Sequence, residues 1–294
     1  MKETNTYSIS NLSKSYNKIC VLEVEQLSLK SGQFVILMGK NGSGKSTLMR
    51  LIAQQELFDS GEILFQGQPL ISSQVIINPQ TVFISEEHEL PFAVKLTHWA
   101  ETFLKMYPNY DQKTLTRLTH SLEIDTQKSF HSLSRGQKMK ALFCLQAPKR
   151  PQIYILDEIT SVLDSGSRWT LMQFLKEEVM RGCLVVMSTN IASEMQGFAS
   201  NVLFLEKGRI IFDSPCDDLK KHFRKIRVTN VCPPMTIKNL GARKISFIKD
   251  DTWIYLHLRK KDFETSVLQG VDEDQREITI ADVQSYFTAS EAEL

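Results

Sequence analysis

The stretch that organises the rest of the chain is Gly39-Lys40-Asn41-Gly42-Ser43-Gly44-Lys45-Ser46-Thr47. An apolar run of strand length, residues 33–38, precedes it, and a segment of helical composition, residues 48–54, follows it. A glycine loop with the spacing Gly-x4-Gly-Lys-Ser between a strand and a helix is typical of a phosphate-binding loop. The sequence therefore predicts an α/β fold with a nucleotide site at this loop.

The residue types of the loop suit a polyphosphate. Glycines leave no Cβ in the path of the ligand, so backbone N–H groups and the N-terminus of the following helix face the anion. We expect Lys45 to reach the β- and γ-phosphates and the Ser46 hydroxyl to bind Mg²⁺. The predicted loop contacts are Asn41, Gly42, Ser43, Gly44, Lys45, Ser46 and Thr47. The predicted ligand is a nucleoside triphosphate with magnesium.

A second apolar run, residues 153–156, is followed directly by Asp157 and Glu158. Ligands of open α/β sheets bind at the C-terminal ends of the strands, so we expect this acidic pair to lie beside the phosphate loop. Asp157 is then expected to hold the magnesium ion, and Glu158 to position the attacking water. Taken by itself, the pair is also compatible with a solvated turn.

A β-rich edge precedes the loop, with alternating residues at 7–12 and 19–29 around a polar turn at residues 14–18. Tyr16 lies in this turn, where its π-face is available to an adenine ring. Packing of the ring within the hairpin is the alternative, and the sequence leaves both interpretations open.

The composition limits the class of protein. The 294 residues suffice for one large domain or two, and 35 Lys and Arg against 34 Asp and Glu give a net charge of +1, which favours neither nucleic acid nor an anionic membrane. The five cysteines include no C-x-x-C pair, which is typical of a reducing compartment. No apolar run approaches the roughly 18 residues of a membrane helix. We therefore expect a soluble, cytoplasmic protein without a structural metal.

The chain divides by pattern into three parts. Residues 1–215 form the predicted nucleotide domain, and near-helical apolar spacing within it predicts an inserted helical subdomain at about 86–147. A basic amphipathic linker is expected at residues 216–227, with a solvated helical face. Residues 228–294 combine strand-like runs with helical stretches at 262–269 and 281–287, which predicts a small α+β accessory domain.

The family becomes specific at Leu133-Ser134-Arg135-Gly136-Gln137, about 20 residues before the acidic pair. Together with the phosphate loop, the acidic strand, Ser161-Val162-Leu163-Asp164 and Ser188-Thr189-Asn190, this segment makes residues 7–215 resemble an ATP-binding cassette (ABC) ATPase. The resemblance implies an α/β fold with an ABC-type P-loop ATPase core, an antiparallel β edge and a helical subdomain. Its ligands would be ATP and Mg²⁺.

The resemblance also implies an assembly. Two nucleotide-binding domains, from identical or different chains, would face head to tail, with each ATP between the phosphate loop of one and the signature residues Ser134, Gly136 and Gln137 of the other. The membrane part would be a separate permease chain, which would hold this chain peripherally on the inner face of the cell membrane. The stretch Tyr107-Pro108-Asn109-Tyr110-Asp111 and the C-terminal extension are similar to exporter ATPases of bacitracin- and lantibiotic-resistance systems.

Several positions depart from the family pattern. Glu86 stands where a glutamine usually links the helical subdomain to the metal and the water, so the resemblance assigns it to both the metal and catalysis. Arg135 and Val162 stand where the family pattern has glycine, and Ile159 stands where it has proline. None of these changes removes a chemical group. Asn190 replaces the switch histidine, and we expect this change to slow hydrolysis while leaving ATP binding intact.

Two other functions compete with the exporter subunit. A soluble ABC ATPase acting on nucleic acid or ribosomes is disfavoured, because there is one cassette, about 90 residues separate Lys45 from Ser134, and no sustained heptads occur. A weakly catalytic subunit that regulates a second ATPase is not distinguished from the exporter subunit by the sequence.

Overall fold

The structure is a computed structural model, which describes residues 5–70, 80–87, 90, 95–103, 106–107, 109–190, 192–229, 243–248, 252–258, 271–273 and 277–288. Its strands are β1 (Asn5–Tyr16), β2 (Ile19–Lys30), β3 (Phe34–Met38), β4 (Ser60–Phe65), β5 (Gln68–Pro69), β6 (Thr81–Ser85), β7 (Ile153–Asp157), β8 (Leu184–Ser188), β9 (Asn201–Glu206), β10 (Arg209–Pro215), β11 (Phe223–Thr229), β12 (Arg243–Ile248), β13 (Thr252–Leu258) and β14 (Val271–Glu273). Its α-helices are α1 (Lys45–Ile52), α2 (Leu96–Phe103), α3 (Gln112–Ser121), α4 (Arg135–Gln146), α5 (Ser165–Met180), α6 (Leu219–His222) and α7 (Ile280–Thr288).

A six-stranded sheet with the order β10-β9-β3-β8-β7-β6 forms the centre of the molecule. All its neighbouring pairs are parallel except β9–β10. Every residue of β3, β7 and β8 is buried, as expected for strands covered on both faces. The register pairs Ser188 with both Asp157 and Leu37, so the C-terminal ends of these three strands lie side by side. This alignment brings the loop after β3 to the acids at the end of β7.

The predicted antiparallel edge is a separate sheet with the order β2-β1-β4-β5. Its first two strands extend further than the sequence indicated, and only Asn17 and Lys18 turn the chain between them. Both have positive φ angles, 50° and 68°, as a two-residue hairpin of the type I′ class requires. Among the described residues, one hydrophobic cluster combines side chains of this sheet, of the central sheet and of α1.

The region expected to be an inserted helical subdomain contains α2, α3 and α4. Asp111 starts α3 by accepting hydrogen bonds from the backbone N–H groups of Lys113 and Thr114, at 3.0 and 3.3 Å. Buried residues of all three helices belong to the same core cluster as one face of the central sheet. Pro108 lies outside the described residues. In the part of the chain that is described, none of the helices combines the length and apolarity needed to cross a bilayer.

The structure corrects the helical face expected within residues 216–227. Helical turns end at His222, and β11 begins at Phe223. Strand β11 pairs with β13 and β14 in a third sheet of order β12-β13-β11-β14, and Phe223 and Ile226 are completely buried. Burial of these two apolar side chains stabilises the strand, although the basic side chains between them suggested a solvated helix.

The C-terminal helix α7, expected at residues 281–287, packs on the central part of the molecule. The Phe287 ring stacks on Phe204 of β9 with centroids 4.5 Å apart, and Val283 is fully buried in the larger core cluster. The helix expected at residues 262–269 lies outside the described residues. Whether residues 1–215 and 228–294 behave as separate domains stays a prediction.

Candidate functional site

The loop after β3 is shaped by glycines. A Cβ at Gly39 would lie 2.2 Å from the backbone oxygen of Leu205, and one at Gly44 would lie 2.9 Å from that of Val21. Gly44 is the N-cap of α1 and has a φ of 103°, which other residue types rarely adopt. The turn therefore depends on residues without a side chain at both places.

Lys45 is the first residue of α1, and its side chain is enclosed by the loop. The residue is only 5% exposed, and its ammonium donates to the carbonyl oxygens of Gly39 and Lys40, at 2.9 and 3.3 Å. The same nitrogen lies 3.6 Å from a carboxylate oxygen of Glu158. The cation is thus held between the loop and the end of β7, with its charge balanced at short range.

The acidic pair at the end of β7 is fixed by the neighbouring strand. The Ser188 hydroxyl of β8 donates to Asp157 Oδ1 at 2.6 Å and accepts from the Glu158 N–H at 2.9 Å. Glu158 has a φ of 53°, a left-handed conformation that is costly for a residue with a side chain and concentrates at functional sites. The Asn190 amide approaches Glu158 Oε1 at 3.5 Å.

A cavity of about 550 Å³ joins the loop to the acidic pair. It is lined by Tyr16, Val21, Asn41, Gly42, Gly44, Lys45, Ser46, Thr47, Arg50, Ser85, Glu86, Glu87, Asp157 and Glu158. Ser43 does not line it, but its buried hydroxyl has no hydrogen-bond partner among the described residues. An unsatisfied hydroxyl beside a glycine loop fits an anionic ligand that supplies the missing partner.

Tyr16 stands at the edge of this cavity, at the end of β1. Its side chain is 40% exposed, and the Lys14 ammonium lies 5.2 Å from the centre of its ring. Partial burial, and then the neighbouring Glu56, raise the pKa of the phenol. The ring therefore lies among the residues that line the cavity, with the Lys14 ammonium near its face.

The three side chains expected at the metal, those of Ser46, Glu86 and Asp157, line the same cavity. A hydroxyl and two carboxylates are hard oxygen donors, the ligands that Mg²⁺ prefers. The residues present therefore fit the ion. The Glu86 carboxylate also contacts the guanidinium of Arg135, the first residue of α4.

The signature residues lie elsewhere on the surface. Ser134 caps α4: its hydroxyl accepts from the Gln137 N–H at 3.4 Å, and the Gln137 side chain accepts from the Ser134 N–H at 3.1 Å. A Cβ at Gly136 would lie 2.7 Å from the backbone oxygen of Val162. Neither these three residues nor Asn190 line the cavity that contains Lys45.

The segment after the acidic pair links α4 to α5. Asp164 caps α5 by accepting from the Ser167 N–H at 2.8 Å and from its hydroxyl at 2.7 Å, and it pairs with Lys140 of α4 at 3.2 Å. These contacts, led by the Ser167 backbone bond, hold the pKa of the Asp164 carboxyl far below its usual range.

Sequence reasoning missed several residues that the structure brings to the site. Arg50 and Glu87 line the cavity and form an ion pair with each other at 2.7 Å. The Ser188 hydroxyl supports both acids from the next strand. The serine that ends the apolar run before Asn190 was a sequence signal for the contact between Ser188 and the two acids. The ion pair between Arg50 and Glu87 joins segments that are distant in the chain, so no local pattern predicts it.

A strand, glycine loop and helix that meet an acidic strand end at one cavity define a P-loop nucleoside triphosphatase. A family model described as ABC transporter matches residues 22–161. The aliphatic sulfonates import ATP-binding protein SsuB of Pectobacterium atrosepticum is 31% identical over 213 residues, covering 71% of this chain and 77% of the relative. The chain belongs to the ABC transporter ATPase family, and it is an ATPase of that class.

Besides the import protein SsuB, the similar proteins include one that is named for export. The ABC transporter ATP-binding protein YtrB of Bacillus subtilis is 28% identical over 228 residues, 75% of each chain. The SkfA peptide export ATP-binding protein SkfE, also of Bacillus subtilis, is 27% identical over 210 residues, 70% of this chain and 87% of the relative.

Solved structures establish the fold independently. An ATP-binding subunit of an ABC transporter superposes with a TM-score of 0.66 at 23% identity, covering 74% of this chain and 92% of that one. The dimeric ATP-binding cassette MJ0796, in a post-hydrolysis state bound to ADP and Pi, gives a TM-score of 0.62 at 23% identity, with 71% and 98% covered.

Proposed function

We propose that this chain binds and hydrolyses ATP, dimerises around it, and powers an exporter whose membrane part is a separate chain. The observation that carries the proposal is the single cavity in which the phosphate loop and the pair Asp157 and Glu158 converge. It provides a buried cation for the phosphates at Lys45 and a carboxylate for the attacking water at Glu158, two groups that phosphoryl transfer to water needs.

In this proposal the loop residues Asn41 to Thr47 bind the phosphates and the face of Tyr16 receives the adenine. The N–H groups at the start of α1 and the Lys45 ammonium stabilise negative charge on the γ-phosphate. Ser46, Asp157 and Glu86 would hold Mg²⁺, which supplies charge neutralisation at the phosphate oxygens when it is bound.

Glu158 is proposed as the general base. Its left-handed backbone and the hydrogen bond from its N–H to Ser188 fix the start of the side chain, while Lys45 and Asn190 both approach its Oε1 atom, at 3.6 and 3.5 Å. A carboxylate held in this way can accept a proton from water without first reorganising. Asn190 orients this carboxylate but supplies no positive charge.

The dimer is proposed because the signature residues are available to another chain. Ser134 is exposed at the N-terminus of α4 and lies outside the cavity of its own chain. A second ABC domain, identical or different, would place Ser134, Gly136 and Gln137 against this chain's ATP. The dimeric cassette among the structural neighbours supports this assembly.

Export rests on the resemblance to resistance exporters and on the similarity to SkfE, whereas SsuB is an importer component. The proposed location is cytoplasmic, on the inner face of the membrane through a permease, with no nucleic-acid partner. The proposed domains are residues 1–215 and an accessory domain at 228–294, joined by residues 216–227, of which 223–227 belong to strand β11 of the third sheet. Cells that depend on this chain for resistance to a bacitracin-type peptide should lose it with Lys45→Ala; loss of uptake instead would identify an importer.

A weakly catalytic, regulatory subunit is the second candidate, and Asn190 is the observation that favours it. Without a histidine at this place the carboxylate of Glu158 has an amide neighbour at 3.5 Å and, among the residues that the structure describes, no cation beside it other than Lys45. Slow turnover that rises only beside a different ABC subunit would support this candidate.

The test of the main proposal is Glu158→Gln. The amide keeps the shape of the side chain but cannot accept a proton, so we expect ATP to bind normally and turnover to stop. Gel filtration with Mg·ATP should then show a dimer, formed by this chain alone or with a partner ATPase. Hydrolysis near the wild-type rate would refute Glu158 as the base, and a monomer under all these conditions would refute the dimer.

A further inference from the structure

The helix α7 contacts the segment that carries Asn190. The side-chain amide of Gln284 donates to the Asn190 backbone oxygen at 3.3 Å. Four residues earlier on the helix, the Ile280 N–H donates to the side-chain oxygen of Gln196 at 3.2 Å. The two hydrogen bonds therefore hold the chain before and after the short helical turn at Ala192–Met195.

The residues just before this turn, 188–190, each contact the segment that contains the acidic pair. Ser188 bonds both Asp157 and the Glu158 N–H, and the hydroxyls of Thr189 and Thr160 lie 3.3 Å apart. The Asn190 side chain then reaches Glu158 Oε1 at 3.5 Å. Movement of this segment at α7 consequently changes where the Asn190 amide lies relative to the carboxylate of Glu158.

The helix itself is held firmly. Val283 is fully buried, and Phe287 stacks on Phe204 of the central sheet. Asp282 accepts from the Thr279 hydroxyl at 2.8 Å and from the nearly buried Lys225 ammonium at 2.7 Å. Because Lys225 belongs to β11, the helix connects the third sheet to the segment beside the candidate site.

We propose that Gln284 is a positioning residue, through which the C-terminal helix holds Asn190 in line with Glu158 and thereby sets the rate of ATP hydrolysis. This inference rests on the proposed function, since it assigns work to Asn190 and Glu158 at the same site. It extends that function by making the C-terminal region part of the catalytic apparatus. Gln284 acts only through the Asn190 segment, and it does not line the cavity that contains Lys45.

The first experiment compares Gln284→Ala with Ser285→Ala in the full-length protein. Ser285 is the next residue on the same helix and is similarly half-buried. We expect Gln284→Ala to lower kcat by about 2- to 10-fold, the effect of losing one neutral hydrogen bond, with an unchanged Kd for Mg·ATP. Gln284→Glu keeps the shape but places a carboxylate oxygen against the Asn190 carbonyl oxygen, so it should lower kcat at least as much. If the two Gln284 variants and the Ser285→Ala control all had the same kcat, the proposal would be overturned.

A double-mutant cycle tests the route. In an Asn190→Ala background the side chain that α7 is proposed to position is gone, so Gln284→Ala should lower kcat no further. An equal reduction with and without the Asn190 side chain would overturn the proposal, because α7 would then affect turnover by another route.

Hydrogen exchange provides a readout that does not depend on hydrolysis. In the nucleotide-free protein, Gln284→Ala should speed amide exchange in the Ala192–Met195 turn and at Asn190, whereas Ser285→Ala should not. If the wild-type protein fails to hydrolyse ATP, the proposed function fails while this measurement still decides the positioning role. Identical exchange in the two variants would overturn the positioning role.

Discussion

The helices α1 and α4 both begin at short glycine-containing segments that are proposed to bind ATP, but their N-termini are built differently. The N-cap of α1 is Gly44, without a side-chain hydrogen bond, and its first turn opens on the cavity. The first turn of α4 is closed by a capping box from Ser134 and Gln137. Unsatisfied N–H groups form a ready anion site, whereas capped ones are already occupied.

This difference indicates that the two halves of the proposed site are prepared to different degrees. In the proposed site the α1 half binds ATP within one chain, because its donors and Lys45 need no partner. The Ser134 hydroxyl is engaged in its own cap, which typically contributes about 1 kcal/mol. Because the hydroxyl accepts the cap bond and keeps its own proton, it can donate to a partner's γ-phosphate with the cap in place, whereas the Ser134 and Gln137 N–H groups are already bonded. The variants below separate the two halves.

The largest effect is expected for Lys45→Ala, which removes the buried cation of the α1 half. We expect loss of measurable ATP binding in calorimetry, because no other described lysine or arginine is enclosed by the loop. Lys40→Ala is the matched control: Lys40 lies in the same loop with an exposed side chain, and only its carbonyl contacts Lys45. Wild-type affinity in Lys45→Ala, or equal losses in both variants, would refute the special role of Lys45.

The next effect concerns the α4 half, through Ser134→Asp in the Glu158→Gln background. Aspartate caps a helix as well as serine does, so the stability of α4 should be kept. Its charge would face the γ-phosphate of the partner's ATP, and such like-charge contacts cost several kcal/mol. We expect gel filtration to show that the ATP-dependent dimer is lost, while ATP binding by the monomer is unchanged.

Ser134→Ala is the complementary variant. It removes the cap and the proposed phosphate donor together, so it should lower both the unfolding free energy and dimerisation. A dimer that persists in Ser134→Asp would show that this residue does not face a phosphate.

The third effect, on turnover, is expected for Asn190→His. Histidine would restore a donor that can carry positive charge as negative charge develops on the γ-phosphate. Loss of one preorganised donor typically slows chemistry by about 100- to 1,000-fold, and the amide of Asn190 retains part of that role. We therefore expect a gain of at most about 100-fold in kcat at saturating Mg·ATP. Equal turnover in the two proteins, with the membrane partner present, would show that this position does not limit the rate.

The sequence predicted the central strands and the phosphate loop because their signals are local. Apolar runs of strand length ended at Met38, Leu156 and Met187, and the residues that follow them, Gly39, Asp157 and Ser188, lie at the C-terminal ends of the strands in the structure. The strand β11 was missed because its basic residues dominate a short segment. Its assignment as a strand depends on pairing with β13 and β14, which are distant in the chain.

The candidate site was predicted as a set of motifs but not as a geometry. Glu86 and Arg135 were each noted as departures from the family pattern, and the structure places the two in contact. Each substitution alone carries no hint of the other, because 48 residues separate them. The bond between Gln284 and Asn190 was equally invisible, since it follows from the docking of α7.

The smallest effect, and the one that tests why the signature segment contains a glycine, is expected for Gly136→Ala. Gly136 and Gly166 occupy the same place in their helices, two residues after the caps Ser134 and Asp164. Alanine in a helix is favoured over glycine by roughly 0.5–1 kcal/mol. A Cβ at Gly166 would meet only a side-chain oxygen of Asp164, at an ordinary 3.5 Å, so Gly166→Ala should stabilise the protein.

At Gly136 the same methyl group would lie 2.7 Å from the Val162 backbone oxygen, which cannot rotate away. Overpacking of this kind costs about 1–3 kcal/mol, which exceeds the gain in helix propensity. We expect Gly136→Ala to lower the free energy of unfolding by about 1 kcal/mol in nucleotide-free denaturant titrations, opposite in sign to Gly166→Ala. A stabilised Gly136→Ala protein would mean that the Val162 segment yields easily, and that access of a nucleotide, not packing within the chain, requires this glycine.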